Sequence, residues 1–170
     1  MKFINQKIGV FFWKLIVAFP INFQNVLVNI LFSFLKNPDL KRNIFSRKNI
    51  DAAFPNLNKQ EKINLFNKNL KSMIRGIFDT GKAWFWNDSK INSLIKYEIF
   101  GLNKLIAAKG NLLIFKHSHH LELDSRILGM HYELYWVERV HNSPFMQKVQ
   151  NMGRLRGLNA LADKNSPITF

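Results

Sequence analysis

From Ile8 to Leu35 the chain is dominated by Phe, Ile, Leu and Val, and Pro20 falls in the middle of that stretch. Proline removes a backbone donor and its ring crowds the preceding turn, so a kinked or divided helix is predicted. Lys7, Lys14, Asn22, Asn25, Asn29 and Lys36 recur at intervals of 7, 8, 3, 4 and 7 residues, on one side of a helical wheel. That polar stripe suits a helix lying in the bilayer interface, with Lys reaching to headgroups, at least as well as one crossing the bilayer. Crossing takes roughly 20 mainly apolar residues, and the unbroken runs here are shorter. No small-residue cleavage site follows, which argues against a signal peptide. An amphipathic core helix is the ordinary alternative. The expectation is a membrane anchor of amphipathic helices over residues 1–36, spanning or lying flat.

Composition bounds the rest. The 170 residues carry 25 Lys and Arg against 11 Asp and Glu, a formal net charge of +14, and 47% are hydrophobic. Such a chain is too apolar for a disordered basic tail, and its length suits one domain. It contains no cysteine, which removes disulfides, thiolate metal sites and cysteine nucleophiles. The basic balance fits an anionic membrane surface, an acidic substrate or nucleic acid. Zinc-finger spacing, a phosphate loop and an aromatic RNA-binding signature are all missing, so a nucleic-acid partner is not expected.

Beyond the anchor the pattern reads as α/β. Lys36 to Asn49 is basic and short on apolar periodicity, and Phe54-Pro55 closes it as a turn. Asn58 with Glu61 forms a capping-box pattern ahead of apolar positions at helical spacing: Ile63, Phe66, Leu70, Met73, Ile74, Ile77 and Trp84. Ala108-Lys109-Gly110 reads as a turn, Leu112 to Phe115 as a buried strand, Leu121 to Met130 as a helix and Tyr132 to Val140 as a further strand. Ser143-Pro144 opens a helix to about Leu155. This alternation argues for parallel pairing.

Chemistry concentrates where the first of those strands ends. Lys116-His117-Ser118-His119-His120-Leu121-Glu122-Leu123-Asp124 places three histidines and two carboxylates together, in the position where parallel sheets carry functional loops. Imidazole suits proton transfer near neutrality, and a carboxylate on its other nitrogen would fix the tautomer. His117 with Glu122 and His119 with Asp124 share one spacing, and spacing does not choose between them. A zinc site is a further reading, weakened because adjacent His119 and His120 on an extended stretch point apart. A solvated polar loop is the bland one.

The ordered motifs resemble a known family. His117-x-x-x-x-Glu122, followed by Leu123-x-x-Arg126-Ile127-Leu128-Gly129-Met130-His131, is similar to the late acyltransferases of lipid A biosynthesis, close to the lauroyltransferase branch. Lys48-Asn49-Ile50-Asp51 before Phe54-Pro55, Asp79-Thr80-Gly81-Lys82-Ala83-Trp84-Phe85-Trp86, Asn142-x-Pro144-x-Met146 and Gly153-Arg154-x-Arg156 resemble further blocks of that family, in order. Ser118, Lys116 and the proline-less Glu138-Arg139-Val140 depart from its pattern.

The resemblance implies an enzyme at the cytoplasmic face of the bacterial inner membrane. It would move a fatty acyl chain from acyl carrier protein to a hydroxyl of a lipid A precursor, in lipopolysaccharide biosynthesis. His117 would be the general base and Glu122 would orient it, while Arg154 would bind acidic substrate groups or hold developing negative charge. Neither metal nor cofactor is required, because the thioester is already activated. The implied fold is an acyltransferase-like α/β domain with a mixed or mainly parallel sheet flanked by helices, over residues 37–156, behind the N-terminal membrane-associated helix. The match fades after Arg156, so residues 157–170 are expected to be a divergent tail and the sheet to be incomplete, as in a C-terminally truncated member. A non-catalytic membrane-bound remnant, or an acyltransferase acting on another glycolipid or lysophospholipid, is the alternative.

Overall fold

The computed structural model describes residues 2–107 and 110–163. In chain order its elements are α1 (Lys2–Ala18), α2 (Ile21–Leu35), α3 (Lys41–Ala53), α4 (Lys59–Phe85), α5 (Asp88–Leu94), α6 (Leu102–Ala107), α7 (Leu121–Gly129), β1 (Tyr135–Glu138), α8 (Pro144–Arg154) and β2 (Ala160–Asp163). The protein is mostly helical. Its contacts divide it into two compact units, residues 1–18 with 79–170 and residues 19–78, and α4 contributes to both.

Pro20, at the start of the unit of residues 19–78, ends the helical run of α1 and precedes α2, as its missing donor requires. The basic stretch after Lys36 becomes α3, a helix that the apolar pattern does not announce. It is secured by a polar device instead: buried Asn43 donates from Nδ2 to the Leu35 and Asn37 carbonyls at 2.6 and 2.7 Å, filling acceptors at the end of α2. The start of α4 carries the expected reciprocal box, with Asn58 N donating to Glu61 Oε2 at 2.8 Å and Glu61 N to Asn58 Oδ1 at 3.0 Å. Phe66, Leu70, Ile74 and Phe78 on α4 are buried, whereas Ile77 faces out.

The other unit packs α1 against the end of α4. Trp13 meets Trp84 and Phe85 edge-on, at 5.4 and 5.2 Å between ring centroids, and Trp86 Nε1 donates to the Val17 carbonyl at 2.9 Å. Gly81 permits this approach, since a Cβ there would lie 2.7 Å from Val17 and 2.8 Å from Trp13. The opposite face of α1 exposes Ile4, Ile8, Phe11, Phe12 and Leu15.

The sheet is smaller than expected. Among the described residues it has two strands, β1 and β2, paired in parallel from Tyr135 opposite Ala160 to Glu138 opposite Asp163, with α8 as the crossover. The strand expected at Leu112 to Phe115 does not form. Leu112 and Ile114 are 89% and 91% exposed, with no neighbouring strand among the described residues to fill their backbone groups. A short apolar run without a partner stays extended and irregular. Conversely, β2 lies in the stretch expected to be a tail, of which residues 164–170 fall outside the described residues. Of the expected turn, Ala108 and Lys109 also fall outside them, while Gly110 adopts φ +71°, a region that glycine enters without strain. Among the described residues no helix is long and apolar enough to cross a membrane, so the crossing form of the anchor is without support.

Candidate functional site

The first turn of α7 carries Glu122 and Asp124, placed where the helix dipole favours negative charge. Glu122 is held from two sides. Trp84 Nε1 of α4 donates to its Oε2 at 2.8 Å, and Arg154 at the end of α8 donates from Nε to both carboxylate oxygens at 3.1 Å, with its Nη2 on Oε1 as well. The Nη1 of Arg154 pairs with Glu138 of β1. Gln147 and Gln150, on α8, fill the Glu138 oxygens from Nε2 at 2.6 and 3.0 Å. Its guanidinium also lies over the Trp136 ring, 5.4 Å from the centroid. Burial works against the charge on Arg154, but the bonds and attraction from Glu122, then Glu138, outweigh it and raise its pKa further.

Local sequence explains this convergence. Ser143 caps α8 with Oγ accepting from Met146 N at 3.4 Å, and Pro144 occupies the first helical position. Gly153 lets α8 lie directly on Trp84; a Cβ there would overlap the indole, with Cδ1 2.8 Å away. The pair Gly153-Arg154 thus combines a close approach with the charge delivered by it.

A second constellation lies on the same stretch. His120 Nδ1 and Asp79 Oδ2 are 2.6 Å apart, and Lys82 Nζ donates to the other Asp79 oxygen at 2.7 Å. Asp79 and Lys82 are nearly buried, whereas the His120 side chain is 39% exposed. Asp124 titrates above the usual carboxylate range; desolvation is the main cause, opposed by His120 and reinforced by Asp79.

The expected site residues are therefore distributed unequally. Glu122 and Arg154 are joined directly. His117 is exposed on the irregular stretch before α7 and makes no hydrogen bond or ion pair among the described residues. Neither His117 with Glu122 nor His119 with Asp124 is hydrogen-bonded. Trp84 and Glu138 join the Glu122–Arg154 cluster, and Asp79 pairs with His120, without having been singled out for it; the acidic start of the Asp79-Thr80-Gly81 block is the available signal for Asp79. Among the described residues no three His, Asp or Glu side chains converge as a metal site would require.

Comparison with known proteins agrees with this architecture of motifs. The model of the bacterial lipid A biosynthesis acyltransferases matches residues 2–169. The chain belongs to that family. It is 32% identical over 163 residues to a lipid A biosynthesis acyltransferase of Haemophilus influenzae, covering 92% of this chain and 51% of that protein. It is 31% identical over 137 residues to the lipid A biosynthesis palmitoleoyltransferase of Escherichia coli K12, covering 78% and 44%. The lauroyltransferase of the same organism is 31% identical over 121 residues, covering 69% and 39%. The chain thus spans about half the length of the curated relatives it matches. No solved structure matches it.

Proposed function

We propose that this family member transfers a fatty acyl chain from an acyl carrier protein thioester to a hydroxyl of a lipid A precursor at the cytoplasmic face of the inner membrane. The observation that carries the reading is the family match over residues 2–169, with its histidine–carboxylate loop opening on the clamped Glu122. His117 takes the hydroxyl proton as the oxygen attacks the thioester carbonyl. Collapse of the tetrahedral adduct breaks the carbon–sulfur bond, and the imidazolium returns the proton to the departing thiolate. Glu122 supplies fixed negative charge at the start of α7. Arg154 is a positioning residue, since two carboxylates engage its guanidinium. The exposed apolar face of α1 and the net charge of +14 support seating on an anionic bilayer.

The Asp79–His120 pair favours a second reading, in which His120 is the base and Asp79 orients it. Acyl transfer assayed with acyl carrier thioester and lipid A precursor separates the two. Loss of about 100-fold or more in His117→Ala, with His120→Ala near the unaltered chain, supports the first. The reverse pattern supports the second. Unchanged turnover in both variants, or none in the unaltered chain, refutes acyl transfer by these residues.

A further inference from the structure

The unit of residues 19–78 holds a cleft of about 320 Å³ between α3 and α4, sharing no residue with the site above. Its walls carry Arg47, Lys59 and Lys62 against one carboxylate, Asp51. That carboxylate offsets little of the charge, because it is 63% exposed and meets Lys62 only at 3.3 Å. The Arg47 guanidinium lies over Phe66, 4.7 Å from the ring centroid, and its Nε, closed off from solvent, has no hydrogen-bond partner among the described residues. Ile50, Ile63 and Phe66 supply an apolar lining beside these cations. Volume and lining are those of a small-molecule site.

We infer that this cleft binds a phosphomonoester carried on an apolar stem, the phosphate meeting Arg47, Lys59 and Lys62 and the stem lying along Ile50, Ile63 and Phe66. Three cations around one recess suit a multiply charged group with several acceptor oxygens better than a single carboxylate. The apolar lining separates the stemmed ligand from free phosphate. The inference does not rest on the acyl-transfer reading, and neither depends on the other's residues.

Titration calorimetry of the full chain tests it with three probes: inorganic phosphate, and dihexanoyl phosphatidic acid and dihexanoyl phosphatidylcholine, each lipid below its micelle-forming concentration. The phosphatidic acid should bind at least about tenfold more tightly than either of the others. Arg47→Gln and Lys59→Gln should each weaken it by about tenfold, with thermal melting showing that both variants fold. Lys59 is exposed, so its variant keeps the test open if Arg47→Gln unfolds. Equal binding of the choline lipid, equal binding of inorganic phosphate, or undiminished affinity in a folded variant would each overturn the assignment.

Discussion

Replacing Arg154 by methionine isolates what the guanidinium does for the cluster. The side chains of Arg154, Glu122 and Glu138 are 15%, 16% and 4% exposed, so all three charges sit largely out of water. With Arg154 present, two carboxylates share one cation. Without it, two negative charges remain buried with neutral donors alone. Breaking a buried ion pair from one side costs about 3–5 kcal/mol, and partial exposure of Glu122 puts this case near 3 kcal/mol. Glu122→Gln leaves the Arg154–Glu138 pair balanced and an amide oxygen for Trp84 or Arg154, so it should cost about 1 kcal/mol. The double variant should be more stable than Arg154→Met alone, because removing one carboxylate relieves the other. Urea unfolding followed by tryptophan fluorescence reads this, since two of the four tryptophans, Trp84 and Trp136, touch the cluster. If Glu122→Gln destabilises as much as Arg154→Met, or the two effects simply add, the charge argument fails.

Gly153→Ala should destabilise by about 1–3 kcal/mol in the same urea assay, because the new methyl overlaps Trp84 and lifts α8; a neutral result would show that the approach is not tight. Asp124 has its proton held more firmly in the folded chain, so its ionisation detracts from stability as pH rises above 3.8 and through the raised value. Asp124→Asn should therefore melt slightly higher at pH 7, with the gain vanishing in acid; water screens this exposed side chain and keeps the effect small. Replacing both Phe11 and Phe12, exposed on α1, by aspartate should reduce flotation with anionic vesicles by at least about tenfold, since each buried ring contributes about 1.5–3 kcal/mol; unchanged flotation would remove α1 from the membrane contact.

Local chemistry was legible from the chain alone. The break at Pro20, the Asn58–Glu61 box, the long apolar stripe of α4, the Ser143-Pro144 start of α8 and the family motifs all follow from neighbours within a few residues. Such features depend on backbone donors, caps and helical periodicity, which short sequence windows contain. The strand at Leu112 to Phe115 failed because a strand needs a partner, and β2 escaped notice because its partner lies some 25 residues earlier in the chain (Tyr135 opposite Ala160). α3 was hidden because Asn43, not an apolar stripe, secures it. Sequence spacing joined Glu122 to His117; packing joined it to Trp84, 38 residues away, and to Arg154, 32 residues away. A buried carboxylate is bound by whichever donors the fold brings to it, and only tertiary structure settles which those are.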